Sequence, residues 1–255
     1  MTDELVDYEV ADGIATLTLN RPDKGNAMNR AMRAAMRDRL SGFAADDDAR
    51  VLIVTGAGER VFCAGADLKE MADEGHQIPP PDLLQLFGQD NWVDKPTIAA
   101  VNGAAFAGGF LLVQLCDLCV AAETATFAVS EARWGRGAPW AMPLFGLVPR
   151  RVALELLLTA EPMSARRAQE VGLVNRVVPP EQLMTAAREL AGTIRDNAPL
   201  TVRGHKRMSR LFDEALLPTA TAAAHDLFRA VYLSEDAVEG PLAFREKRCP
   251  VWKDR

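Results

Sequence analysis

Two short glycine turns carry the clearest chemical signal in the sequence. Cys63-Ala64-Gly65-Ala66-Asp67 closes an extended segment, and Ala107-Gly108-Gly109 follows the run "TIAAVNG". Each places small residues where an extended stretch gives way to a turn or helix, which leaves backbone N–H groups unobstructed. Two such donors converging on one point can hold a carbonyl oxygen that turns negative during reaction, and a helix N-terminus adds its dipole. Losing one donor of this kind costs about 10²–10³ in rate.

Other candidate chemistry is weaker. Gly56-Ala57-Gly58 follows a buried strand, as a dinucleotide-binding motif does, but the third glycine of that motif is replaced by Val61. The residues after it read as extended rather than helical, so no nicotinamide cofactor is expected. Cys116 and Cys119 have the spacing of zinc ligands, yet no second Cys/His pair follows and their neighbours are apolar. They read as small buried side chains, and no metal site is expected. His76, His205 and His225 are scattered among polar or helical segments and read as solvated or structurally satisfied imidazoles.

The elements that must position the turns can be read from periodicity. "YEVADGIATLTLN" alternates around Asp12-Gly13, a β-hairpin pattern. Met28, Met32, Met36, Leu40 and Phe43 recur every three or four residues, one face of an amphipathic helix. "VLIVT", "TIAAV" and "LCVAA" are short apolar runs typical of strands buried on both faces. "MADEGHQIPPPDLLQ", with Pro79–Pro81, reads as a mobile surface loop before a helix. Around "ARRAQEV", Ser164 is the expected N-cap and Gly172 the expected C-cap, and helices follow from Pro179 to the end.

Residues 98–122 are long and mostly apolar, but Asn102, Gln114, Asp117 and three glycines interrupt them and no basic cluster flanks them. Strand, turn, helix and strand inside a core is the better parse, not a membrane span. The 255 residues are 49% hydrophobic and 25% charged with a net charge of −6, which suits a soluble α/β domain and disfavours nucleic acid as a partner. The acidic N-terminus has no signal-like apolar region, and the four cysteines fit reduced thiols in a cytoplasmic protein.

"FCAGADLKEM", "KPTIAAVNGAAFAGGF", "CDLCVAAETATFAVSEA", "SARRAQEVGLVNRVVP" and "SEDAVEGPLAFREKR" resemble, in order and over nearly the whole chain, the signatures of the enoyl-CoA hydratase/isomerase (crotonase) superfamily. The resemblance implies a spiral of ββα units, with an acyl-CoA-binding core over 1–197 and a helical region over 198–255 that assembles homotrimers or hexamers. It implies an acyl-CoA thioester substrate, with CoA as part of the substrate and no separate cofactor. The N–H groups of Ala66 and Gly108 would hold the thioester oxygen. The Ala64–Asp67 turn would receive the adenine, and Phe244 and Lys247 the CoA nucleotide, Lys247 as a point charge for a phosphate.

Hydratases of this family use two glutamates. One position corresponds to Glu131; the other, three residues after Gly108, is Leu111. A lone carboxyl group in an apolar pocket suits proton transfer from C2 to C4 of a 3-enoyl thioester, because desolvation lifts its pKa toward working pH. The pattern "AGGFLLVQLCD" also resembles the single-glutamate Δ3,Δ2-enoyl-CoA isomerases, with leucine in the same slot, so isomerisation is the favoured expectation. Hydration of a 2-enoyl thioester, or lyase or hydrolase chemistry on an unusual acyl group, is the alternative, with Trp134 and Trp140 as walls for a bulky group. A CoA-binding protein of low turnover is a further one.

Overall fold

The computed structural model describes residues 4–74, 93–209 and 229–253, together with positions 78, 83 and 211. Strands β1 (Val6–Ala11) and β2 (Ile14–Leu19) form the expected hairpin. Asp12 and Gly13 both adopt positive φ, 49° and 73°, the two left-handed positions of a turn whose twist matches its strands. Asn29 caps α1 (Arg30–Ala45) by accepting the Met32 N–H at 2.9 Å. Met32, Met36, Leu40 and Phe43 are buried along its inner face.

From there the chain repeats one pattern. β3 (Val51–Gly56), β5 (Thr97–Val101) and β7 (Leu118–Ala122) lie side by side and parallel in a six-stranded sheet of order β1-β2-β3-β5-β7-β10, with β10 at Arg176–Val178. After each, the chain crosses to a second sheet through β4 (Val61–Cys63), β6 (Ala104–Phe106) or β8 (Thr126–Ala128); β9 (Met163–Ser164) completes that sheet in the order β4-β6-β8-β9. Helix α2 (Leu68–Glu74) follows β4, and α3 (Gly108–Leu115) follows β6. Residues 98–122 are thus strand, short strand, helix and strand, and among the described residues no helix is long and apolar enough to cross a membrane.

The central strands of the long sheet, β3, β5 and β7, are buried on both faces. Leu52, Val54, Ala99 and Val101 point into the larger core with α1 and α3. Their neighbours Val51, Ile53, Ile98 and Ala100 point the other way, onto Leu183, Ala187 and Ala191. A continuous β-branched run is what a strand with two apolar faces requires.

Helices α4 (Leu144–Leu147), α5 (Arg150–Thr159) and α6 (Ala165–Glu170) lead to α7 (Leu183–Arg195), which covers that second face. Ser164 caps α6 by accepting the Arg167 N–H at 3.3 Å, and Gly172 follows with φ 86°. α8 (199–209), helical residues 229–233 and α9 (Asp236–Glu246) complete the chain. Lys206 latches α8 to the core, its Nζ 2.8 Å from both Asp117 Oδ2 and the Lys95 carbonyl.

Two expectations need correction. Met28, read as part of the helix face, precedes α1 and bridges to Ala66 instead, because Asn29 caps the helix after it. Met71–Glu74, read as loop, belong to α2, because the Asp67 carboxylate accepts the N–H groups of Lys69 and Glu70 at 3.1 and 3.5 Å and starts a helical turn. Pro79–Pro81, His76 and His225 lie outside the described residues.

The two sheets meet where β4 ends and α3 begins. A Cβ on Gly109 would stand 2.0 Å from the Cys63 carbonyl oxygen, which belongs to the backbone and cannot swing aside. Gly109→Ala is expected to lose about 1–3 kcal/mol or more of stability in urea unfolding; a variant as stable as wild type would contradict this packing.

Candidate active site

The 63–67 turn is strapped by the segment before α1. The Ala64 N–H donates to the Gly25 carbonyl (2.9 Å), Met28 N–H to Gly65 O (2.8 Å), and Asp67 N–H to Met28 O (3.2 Å). Asn26, fully buried with φ 52°, donates to the carbonyls of Ala57 and Val61 and accepts the Arg21 N–H. Arg21 in turn donates to the Ala27 carbonyl and pairs with Asp67 at 3.0 Å. Burial alone would raise the Asp67 carboxyl, but Arg21 and the two N–H groups of the α2 turn outweigh it and hold it below its usual range.

The bridge to Met28 uses the groups on either side of Ala66, so Ala66's own N–H faces away from that strap. Opposite it, the Ala107 N–H donates to the Ala128 carbonyl at 3.2 Å, and Ala107 adopts φ 48° and ψ −123° just before α3. That conformation is rare for a side-chain-bearing residue and costs of order 1–3 kcal/mol, so the surrounding packing enforces it. The N–H groups of Gly108 and Gly109 therefore begin the helix unpaired by it. A Cβ on Gly65 would come within 2.9 Å of Ala107 Cβ and 3.0 Å of the Gly108 nitrogen, so the two turns lie against each other. Among the described residues, the N–H groups of Ala66 and Gly108 have no hydrogen-bond partner.

Glu131 opens the 3-10 turn Glu131–Trp134 after β8. The residue is half-buried overall, yet its Oε2 is shut off from solvent and has no partner. Its Oε1 accepts the Trp140 indole N–H at 3.1 Å. Burial pushes the carboxyl up to about 7 against weaker opposing hydrogen bonds from its own backbone, Trp140 and Ser130. A carboxyl group poised there can both accept and return a proton near neutral pH.

The remaining candidates lie on α3, on the 3-10 turn after β8, on the 63–67 turn and at the end of α9. Leu111 is buried on α3, one turn from Gly108, and presents hydrocarbon. Trp134 packs edge-on against Phe244 of α9, ring centroids 4.6 Å apart at 74°. Lys247 ends α9 in the left-handed region, exposed, and its side chain has no partner among the described residues. Ala64 is exposed beside Gly25. The structure thus brings Ala66 to Gly108, Trp140 to Glu131 and Trp134 to Phe244.

The buried thiols of Cys63 and Cys116 are pushed up to about 12 and that of Cys119 is also raised, in each case chiefly by burial, so they hold their protons and are poor metal ligands. The strap residues Asn26 and Arg21 were not legible as site supports, because nothing in "NRPDKGNAMN" separates a buried cross-linking asparagine from a turn asparagine.

The model of the enoyl-CoA hydratase/isomerase family matches residues 9–255. The chain belongs to that family. Among its relatives is the carnitinyl-CoA dehydratase of Salmonella typhi, 40% identical over 258 residues and covering 95% of each chain. A crystal structure of carnitinyl-CoA hydratase from Mycobacterium avium superposes with a TM-score of 0.89 at 40% identity and 100% coverage of both chains. An enoyl-CoA hydratase from Mycobacterium smegmatis superposes at 0.78, with 35% identity over 89% of this chain and 97% of that one. The mixed α/β spiral with its parallel sheets is therefore the hydratase/isomerase fold.

The elevated Glu131 pKa has a consequence for stability. A carboxyl raised from the ordinary 4.5 to about 7 favours folding fully below its unfolded pKa, and that advantage is lost as pH rises through about 7. Relative to Glu131→Gln, wild type is expected to lose up to about 3 kcal/mol of unfolding free energy between pH 4.5 and pH 8. Parallel pH–stability curves would contradict the burial of this carboxyl.

Proposed function

We propose that the chain catalyses the reversible removal of water from a 3-hydroxyacyl-CoA thioester, giving the 2-enoyl thioester, with Glu131 as the single proton carrier. The observation behind the proposal is the sealed, unpartnered Oε2 of Glu131, whose carboxyl burial pushes up to about 7. The relatives named for carnitinyl-CoA dehydration and hydration support water chemistry over the isomerisation that Leu111 alone favours.

In this reading the thioester oxygen sits between the N–H groups of Ala66 and Gly108, at the start of α3. The Glu131 carboxylate takes the C2 proton, and negative charge moves onto that oxygen, where two preorganised donors meet it. As the carbonyl re-forms, the C3–O bond breaks. Protonated Glu131 delivers its proton to the departing hydroxyl, which leaves as water, and the carboxylate is restored. One carboxyl group serves both transfers when the C2 proton and the C3 hydroxyl lie on the same face, so hydrocarbon at Leu111 is compatible with the cycle. The turn at Ala64 and Asp67 and the end of α9, with Phe244 and Lys247, are assigned to the CoA nucleotide. Trp134 supports that end of the site through Phe244. The exposed apolar side chains of Leu158, Leu233, Val238 and Trp252 support self-assembly, as expected of a homotrimer or hexamer.

A second reading rests on Leu111. Starting from a 3-enoyl thioester, the same enolate can be reprotonated at C4, which needs no leaving group and no second acid. Mass spectrometry of 3-hydroxyacyl-, 2-enoyl- and 3-enoyl-CoA substrates separates the two. Interconversion of the first two is expected to outpace double-bond migration, and Glu131→Gln is expected to lower it about 10²–10⁴-fold. An unimpaired Glu131→Gln would remove the carboxyl from the mechanism, and migration far faster than water exchange would establish the second reading.

A further inference from the structure

Glu131 and Trp140 sit at the two ends of one closed loop. The backbone N–H groups of Gly135 and Arg136 both donate to the Glu131 carbonyl, and Gly135 turns the chain with φ 62°. Pro139 starts the next 3-10 turn, Pro139–Ala141, which carries Trp140 back toward its starting point. There the indole N–H meets Glu131 Oε1 at 3.1 Å. The middle of the loop is clamped from outside by the buried Tyr232, whose hydroxyl donates to the Gly137 carbonyl at 3.0 Å. Arg136 lies over the Tyr232 ring, 5.1 Å from its centroid.

An indole nitrogen can only donate, so it occupies whichever carboxyl oxygen it meets and cannot accept that group's proton. With Oε1 engaged and Oε2 buried without a partner, the two oxygens are no longer equivalent. We propose that Trp140 is a positioning residue for Glu131: its N–H fixes the carboxyl plane and reserves Oε1, so that Oε2 is the atom that exchanges the proton with substrate. The proposal rests on the assignment of Glu131 as proton carrier and gives Trp140 a duty beyond lining the acyl pocket.

The same hydrogen bond favours the carboxylate and opposes the effect of burial. Several charged or titratable groups lie on the elements packed around the loop, and Tyr232 is close enough for Glu131 to raise its pKa. Arg133 pairs with Glu161, Glu239 of α9 with Arg248, and Tyr232 is a neutral phenol whose own pKa is raised, mainly by burial. Arg136 lies against Tyr232, Asp236 of α9 accepts the Lys253 N–H, and α5 contributes Arg150, Arg151 and Glu155. Trp140 is thus the side chain that donates to this carboxyl among the described residues.

The test replaces Trp140 by its isostere β-(3-benzothienyl)alanine, which keeps the ring shape and lacks the N–H, with Trp140→Phe as a second variant. Glu131 is followed by ¹³C NMR of carboxyl-labelled protein, with Glu131→Gln identifying its resonance. The titration midpoint is expected to move up by about one pH unit, since a hydrogen bond to a charged group is lost. The low-pH limb of kcat/KM should move up with it, while kcat falls roughly tenfold and KM changes less than twofold. An unchanged midpoint in the isostere, or a raised KM with kcat intact, would overturn the proposal. The NMR midpoint is independent of turnover: an active Glu131→Gln would refute the functional reading even if the midpoint moved. An inactive Glu131→Gln with an unmoved midpoint would refute only the role of Trp140.

Discussion

The site depends on one backbone contact, that between the turn after β4 and the turn before α3. Gly65 and Gly109 have no room for a methyl group: an added Cβ would press on Ala107 and the Gly108 nitrogen in one case and on the Cys63 carbonyl in the other. In the proposed mechanism, this close approach of two main chains turns the N–H groups of Ala66 and Gly108 into a pair with a common target. After the β1-β2 hairpin, the successive strand pairs β3-β4, β5-β6 and β7-β8 each send the first strand to the long sheet and the second to the short one, so β4, β6 and β8 lie side by side. The strap from Arg21 to Met28 then fixes the height of the first turn, and the positive φ of Ala107 fixes the second.

The proposed mechanism adds to that donor pair a single carboxyl group, Glu131, on which two opposing effects act. Burial disfavours its charge, while hydrogen bonds restore part of the charged form, and the balance falls near neutrality. A fully solvated glutamate would be too acidic to return a proton efficiently, and a fully orphaned one too weak a base at physiological pH. The loop from Glu131 to Trp140 produces the intermediate condition within ten residues of chain. In the proposed cycle, hydrocarbon at Leu111 leaves both proton transfers to this group, whichever carbon or oxygen receives the proton.

Much of this framework is legible in the sequence because it follows from periodicity. The Asp12-Gly13 hairpin, the methionine-rich face of α1 and the doubly buried β3, β5 and β7 obey simple spacing rules, and so does the cap at Ser164. The short sheet is less legible: β6, β8 and β9 have two or three residues each, too few to show alternation. Met71–Glu74 were hidden as helix because the capping group, Asp67, lies in a segment whose small residues suggest only a turn. The glycine turns stand out by their small residues after extended segments, and Glu131 through the resemblance to the family. The bond from Trp140 to Glu131 could not, because it requires closure of a loop through two 3-10 turns. The reaction itself is the hardest part to read, since one side chain at position 111 favours isomerisation while relatives matched over nearly the whole chain are named for water chemistry.

The most direct measurement is difference infrared spectroscopy of a non-reactive acyl-CoA, ¹³C-labelled at the thioester carbonyl and bound to the intact protein. Polarisation by the N–H groups of Ala66 and Gly108 should lower the carbonyl stretch relative to the free thioester, and Ala66→Pro, which deletes one donor, should reverse part of that shift. A bound thioester whose stretch matches that of the free molecule in water would contradict the account.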